Sequence, residues 1–248
     1  HLGLEAECNL IISDLKNEIV ELTGERAAEV SNVLLFDLEN PLNGNRYNPL
    51  DLVVDYAEAD DIANIQLAVD KLAANLIPAE DKNPFFSNAA RGLLAACFIA
   101  IATADIDRSK KNMASVCAMI DEGTTGEGKD PSAALKDFFR NLGPDHPAFS
   151  SASEFLSDGG TTAGKNVLST VKVALRPFTS PAIRWMSAKS DPCLDDLITK
   201  RTTLYIHVLG KDHPANCLLG CFFSQWWQRV QEIGNANGGS IPIKTNLI

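Results

Sequence analysis

The sequence predicts a mainly α-helical protein in which a helical bundle is set into a partial α/β sheet. Three observations predict it. The chain up to Asp37 reads as strand, helix, strand. From Glu58 the apolar spacing changes to steps of three and four, and near Thr202 a β-branched and aromatic run brings the strand pattern back. These changes of period divide the chain into an α/β piece over 1–55, a helical domain over 56–200 and a returning α/β piece over 201–248.

Asn9 to Ser13 (NLIIS) and Asn32 to Phe36 (NVLLF) are short apolar runs that each end at an aspartate, as buried strands do. Lys16 to Val30 lies between them with Ile19 and Leu22 on one helix face, which makes a unit of the parallel-sheet type. Leu38 to Asp51 is rich in Asn, Pro and Gly and predicts a loop leaving the sheet. Beyond it, Ile62, Ile65, Val69, Leu72 and Leu76 form the stripe of an amphipathic helix. Polar residues followed by proline predict four further helix starts, at Asn83-Pro84, Asp130-Pro131, Ser180-Pro181 and Asp191-Pro192. A helix after Ser109 places Met113, Val116, Cys117 and Ile120 on one face, and Asp121 to Asp130 reads as a flexible connection. Thr202 to Val208 predicts a strand, Pro214 to Ile233 a helix, and Ile241 to Ile248 a last apolar strand that stops without a polar tail, as at a boundary set by cloning or processing. His1 is similarly expected to be a tag remnant.

At 248 residues, 45% hydrophobic and 22% charged, the chain has the composition of a globular protein able to bury a core. Its net charge of −10 and pI near 4.9 argue against generic coating of DNA, because the surface as a whole repels phosphate. The longest apolar run, Gly92 to Ala104, has 13 residues. A membrane span needs about 20, so the run predicts a buried core helix. The six scattered cysteines read as reduced, and a soluble chain in a reducing compartment is expected. His207, His213, Cys217 and Cys221 have metal-ligating chemistry, but the two cysteines lie in the apolar run CLLGCFF, which reads as core packing. No metal is expected.

Gly159 to Asn166 (GGTTAGKN) has the glycine-to-lysine spacing of a phosphate-cradling loop. Such a loop needs a hydroxyl after the lysine, where this chain has Asn166, and a buried strand in front, where Ser150 to Asp158 is polar and helix-like. The run therefore predicts a helix start. A small nucleotide-dependent transferase built on it is the weakest of the functional readings.

Several segments, in this order, resemble the TraG-type coupling ATPases of type IV secretion systems, members of the FtsK/HerA group of DNA-pumping hexamers. Asp14-Leu15-Lys16-Asn17-Glu18 resembles the family's Asp-Pro-Lys-Gly-Glu strand end, with Leu15 and Asn17 in place of Pro and Gly. Phe36-Asp37 with Tyr47-Asn48-Pro49-Leu50 is similar to its second strand and Asn-Pro-Leu loop. Asn83-Pro84-Phe85-Phe86, with Ala90-Arg91 and Leu93-Leu94, resembles the helix that follows. Val167 to Thr170, running on to Leu175-Arg176-Pro177-Phe178 and Pro181, resembles the serine-bearing helix and its turn; Thr203 to Ile206 resembles the returning strand.

The resemblance implies an all-alpha domain inserted in a RecA-like P-loop NTPase sheet. In the family, the phosphate loop precedes the strand this chain starts with and the magnesium-binding Asp-Glu follows the strand it ends on. ATP and Mg are thus expected for the full-length protein, and no cofactor or catalysis for this segment. The resemblance further implies partners: a relaxase or relaxosome, secreted effector proteins, DNA through the hexamer, the secretion channel and further copies of the chain. It places the protein at the cytoplasmic face of the bacterial inner membrane. A stand-alone helical adaptor without motor activity is the alternative.

Two groups of side chains are candidates for function. Asp14 and Lys16, at a strand's C-terminal end, are either close to the nucleotide of the intact motor or a salt-bridged turn. Asp51, Asp55, Glu58, Asp60 and Asp61 are either a docking surface for a basic partner or a solvated face at a helix start. Arg108, Lys110 and Lys111 make a weak case for DNA contact. Trp226 and Trp227 read as core contacts, or alternatively as an interface between motor subunits.

Overall fold

A computed structural model describes residues 7–79, 84–126, 130–157, 161–207, 210 and 213–248. It divides into two compact units, one built from His1–Tyr47 together with Lys189–Ile248, the other from Asn48–Ala188. In chain order the first unit opens with β1 (Asn9–Ser13), α1 (Glu18–Ala28) and β2 (Asn32–Asp37). The second comprises α2 (Asp51–Glu58), α3 (Ile62–Leu76), α4 (Pro84–Thr103), α5 (Met113–Gly123), α6 (Ala133–Leu142), α7 (Pro147–Ser151), α8 (Ser153–Ser157), α9 (Thr162–Leu175) and α10 (Pro181–Met186). The first unit then resumes with α11 (Asp196–Thr199), β3 (Thr202–His207), α12 (Cys217–Ala236) and β4 (Thr245–Leu247). The protein is mainly helical with one small parallel sheet.

The sheet order is β2-β3-β1-β4, and every neighbouring pair is parallel. In the centre, Leu10 to Ser13 face Thr203 to Ile206 in register, and on the other side Asn32 to Asp37 face Thr202 to His207. All six residues of β3 are buried, which fits a parallel strand covered on both faces and explains its unbroken apolar and β-branched run. Alternation in β2 sorts its side chains. Val33 and Leu35 pack with Leu10, Ile12, Ala27 and Tyr205 on the α1 side. Phe36 meets Tyr47 and Phe222 of α12, with ring centroids 5.9 and 5.6 Å away. The buried Asn9 side chain ties this unit's separated segments, donating to the Leu197 carbonyl and accepting from the Thr202 amide, each at 2.8 Å.

In the helical unit α4 is the hub, packed by α2, α3, α5, α7, α8 and α9. From Leu93 to Ala102 it is apolar on every side and, apart from half-buried Ile101, buried, as an all-round hydrophobic helix must be. By length and composition it is also the one described helix able to cross a membrane, a property it shares with core helices. Gly92 admits the neighbouring backbone: a Cβ there would stand 2.9 Å from the Ser151 carbonyl oxygen. Most of the expected α3 stripe is buried, but Ile62, in its first turn, is exposed, and Asp61 caps the helix through the Asn64 amide.

The loop after β2 gives way to helix at Asp51, where it was expected to end, and α2, with Leu52, Val53, Val54 and Tyr56 buried, is a helix that the apolar spacing read from Glu58 did not include. Two starts differ from expectation. Asp130-Pro131 precedes α6 by two residues. Asp130 uses its carboxylate on the Ser132 amide and on the buried Lys136 ammonium, 2.8 Å away. No helix starts at Asp191-Pro192; Asp191 instead takes the backbone amide and guanidinium of Arg46. Ser180-Pro181 does open α10. Asn83, Glu127 to Lys129, Val208 and the first residues, including His1, lie outside the described residues.

Lys136 is 2% exposed, lies 5.1 Å from the Phe155 ring centroid, and has the Asp130 carboxylate 2.8 Å away. Hydrogen bonds from Lys136 and Ser132 hold the Asp130 carboxyl down at about 2. Asp130→Ala should cost about 1.5–3 kcal/mol in urea unfolding at neutral pH. A lowered carboxyl stabilises the fold above its unfolded value of about 3.9 and loses that contribution as pH falls through the folded value. The wild type should therefore lose more stability than Asp130→Ala between about pH 4 and pH 2.

Candidate functional site

Asp14 and Lys16 lie where β1 hands over to α1, and they part company. Asp14 is 2% exposed, and one carboxylate oxygen accepts from the amides of Ile19 and Val20 at 2.9 and 2.8 Å. It thus satisfies two of the amide donors that open a helix and places a negative charge at the dipole's positive end. Lys16 stands in solvent, 4.0 Å from Glu18. Asn17 between them has φ 58°, the left-handed region. Glycine enters that region most easily and asparagine next, so Asn17 is a residue type suited to this turn.

The sheet's C-terminal edge brings His207 to two carboxylates that the sequence pattern did not connect with it. His207, at the end of β3, has Nδ1 at 3.1 Å from Asp37 of β2 and Nε2 at 3.3 Å from Glu39. Asp37 also accepts from the amides of Glu39 and Asn40. The signal was His207 in register with Asp37 across β2 and β3, visible only once the pairing is known.

The acidic residues at the start of the helical unit are shared among three tasks. Asp51 accepts from the Asn48 side chain at 2.8 Å, and Asp61 caps α3. Asp55 and Glu58 both take the Arg108 guanidinium at 2.5 Å. Burial pulls the Arg108 pKa down, but the hydrogen bond to Asp55 and the charges of Asp55, Glu58 and Asp51 outweigh it and hold it up. Asp60 is exposed, with φ 57°. Of the cations proposed for DNA, Arg108 is thus engaged by carboxylates, and Lys111 is buried, donating to the Ala102 carbonyl at 2.9 Å.

The glycine-to-lysine run does not make a phosphate cradle in its described part. Gly159 and Gly160 lie outside the described residues. Thr161 is the extended residue before α9, and the preceding element is the helix α8 rather than a strand. Cys221 is buried and Cys217 partly so. Burial pushes the Cys217 thiol up to about 11 and that of Cys221 well above its ordinary value, which keeps both protonated. Among the described residues no group of three or more His, Cys, Asp or Glu side chains is placed to hold a metal ion. Trp226 is buried beside Phe223, and Trp227 is 55% exposed.

A parallel sheet whose adjacent strands β2 and β3 are separated in sequence by a whole helical unit defines an α/β protein with a large helical crossover. The profile of the type IV secretory system conjugative DNA transfer family matches residues 4–247, and the chain belongs to that family. No curated protein matches the chain.

Asp14→Ala should lower stability by about 1–2 kcal/mol, through the two helix amides left without an acceptor. Lys16→Ala, at a side chain 75% exposed, should stay within about 0.5 kcal/mol of the wild type in the same urea titration.

Proposed function

We propose that the chain is the part of a TraG-type coupling protein that recognises cargo, either a relaxase joined to its DNA strand or a secreted effector protein, and delivers it to the secretion channel. On this reading the sheet is part of a RecA-like motor domain and Asn48–Ala188 is its all-alpha insertion. The family match over residues 4–247 carries the reading. The discontinuous sheet unit and continuous helical unit agree with it. ATP-driven DNA translocation is assigned to the full-length protein, with ATP and Mg bound outside this segment, at the cytoplasmic face of the inner membrane. Asp60, together with the rim of the cluster around Asp51, Asp55, Glu58 and Asp61, is the surface offered to a basic partner. The charge of this rim is tempered by Arg108.

The test compares affinities of the purified chain for a relaxase of the same conjugative system carrying its strand, and for that strand alone. The relaxase-bound strand should bind at least about tenfold more tightly, a difference of about 1.4 kcal/mol. Equal affinity for the two, with steep salt dependence, contradicts recognition through the relaxase.

A further inference from the structure

One six-residue pattern occurs twice in the chain, as Gly143-Pro144-Asp145-His146-Pro147-Ala148 and as Gly210-Lys211-Asp212-His213-Pro214-Ala215. In their described residues the two copies fold alike. The histidine amide donates back to the glycine carbonyl, at 3.2 Å for His146 and 2.9 Å for His213. The histidine Nδ1 then accepts from the alanine amide two residues on, at 3.2 Å in both copies. Histidine therefore stands in the capping place ahead of proline, before α7 in one copy and before the turn Pro214–Asn216 in the other. The usual caps, Ser, Thr, Asp and Asn, present an oxygen that accepts at any pH near neutral. An imidazole nitrogen accepts only while it carries no proton.

His146 is also held at its second nitrogen, which lies 3.3 Å from the Thr103 hydroxyl at the end of α4. That hydroxyl donates its one proton to the Ile99 carbonyl at 2.7 Å, so its oxygen accepts and Nε2 carries the ring proton. Nδ1 keeps the lone pair that caps α7. A second proton enters at Nδ1, head-on to the amide of Ala148, a fully buried residue. Around the ring, α7 packs on α4, α6 and α8, whose charged groups are Arg91, Lys136, Asp137, Arg140 and Glu154, with Asp105 and Asp145 in the adjoining loops. Arg91 donates to the Ile77 carbonyl, and Lys136 and Arg140 have carboxylates of their own. From α3 the neutral Gln66 side chain reaches Ser151. Among the described residues no carboxylate stands within 4.0 Å of the His146 ring, and burial alone moves its pKa, downward from the ordinary value. His213 is exposed and has no second ring contact among the described residues.

We propose that His146 is an acid-operated catch, which on taking a proton at Nδ1 lets go of the first turn of α7 and loosens that helix from α4. The two helices lie close together, with the Ser151 carbonyl oxygen 2.9 Å from where a Cβ at Gly92 would stand. A histidine whose folded value lies below its unfolded value of about 6.5 adds stability that is complete above about pH 6.5 and is lost as pH falls through the folded value. This window lies above the one set by Asp130, between about pH 4 and pH 2, so the two are read apart.

The experiment follows amide hydrogen exchange of the 248-residue chain at about pH 7.5 and about pH 5.5, on either side of the histidine range. The wild type is compared with His146→Asn, whose side-chain oxygen caps without taking a proton, and with His146→Ala, which has no acceptor. After correction for intrinsic rates, the α7 amides from Ala148 to Ser151 of the wild type should lose protection about tenfold or more on acidification. Those of His146→Asn should hold theirs, and those of His146→Ala should be poorly protected at both pH values. The α4 amides from Leu93 to Ala102 should stay protected in the wild type. Ring-nitrogen NMR of the wild type at the higher pH should find the proton on Nε2. Equal loss in the wild type and His146→Asn overturns the proposal, as does no loss in the wild type, loss in α4 as large as in α7, or a proton found on Nδ1 at the higher pH. Should His146→Ala fail to fold, the comparison of the wild type with His146→Asn decides alone.

Discussion

The position of β3 between β1 and β2 is the constraint on which the rest of the first unit depends. A fully buried strand must pair its backbone groups on both sides, and both partners of β3 lie in the first 37 residues of the chain. The sheet therefore forms only when the chain returns after the whole helical unit. Loop closure on that scale costs entropy, which buried pairing and the Asn9 hydrogen bonds to Leu197 and Thr202 offset. Aromatic packing of Phe36, Tyr47 and Phe222 adds to it on the α12 side. Arg229 of α12 completes the unit by a fork of hydrogen bonds to Asp195, just before α11.

The helical unit solves its own packing problem by burying α4 inside other helices, so its surface charge is free to serve function. That charge is unevenly arranged. At the α2 end Arg108 neutralises part of an acidic cluster, and buried Lys136 is matched by Asp130. On α9, Lys172 has Asp121 at 3.8 Å, while Lys165 has no carboxylate within 4.0 Å among the described residues.

The periodic elements were legible in the sequence. β1, β2, β3, α4 and α12 follow from apolar runs and steps of three and four, because burial on one or both faces is what writes those patterns. The helix start at Ser180-Pro181 followed from local chemistry, while Asp191-Pro192 did not, because Arg46 took the aspartate that a cap would have used. The helix α2 was not read from the sequence, because its acidic residues Asp51, Asp55 and Glu58 interrupt the buried face of Leu52, Val53, Val54 and Tyr56. The candidate carboxylates were legible as charges but their partners were not. Asp14 and Ile19 are near in sequence, yet the Asp55–Arg108 and Asp37–His207 pairs depend on packing that no local pattern records.

The account stands on two chain segments forming one sheet unit that holds together apart from the helical core. Amide hydrogen exchange in an Asn9→Ala variant tests this most directly. The substitution removes the acceptor of the Thr202 amide and the donor to the Leu197 carbonyl, a loss of about 1–3 kcal/mol. Amides of Leu10 to Ser13 and of Thr203 to Ile206 should lose protection together, while those of α4 keep theirs. Equal loosening of α4, or loss in β1 with β3 unchanged, would contradict the account.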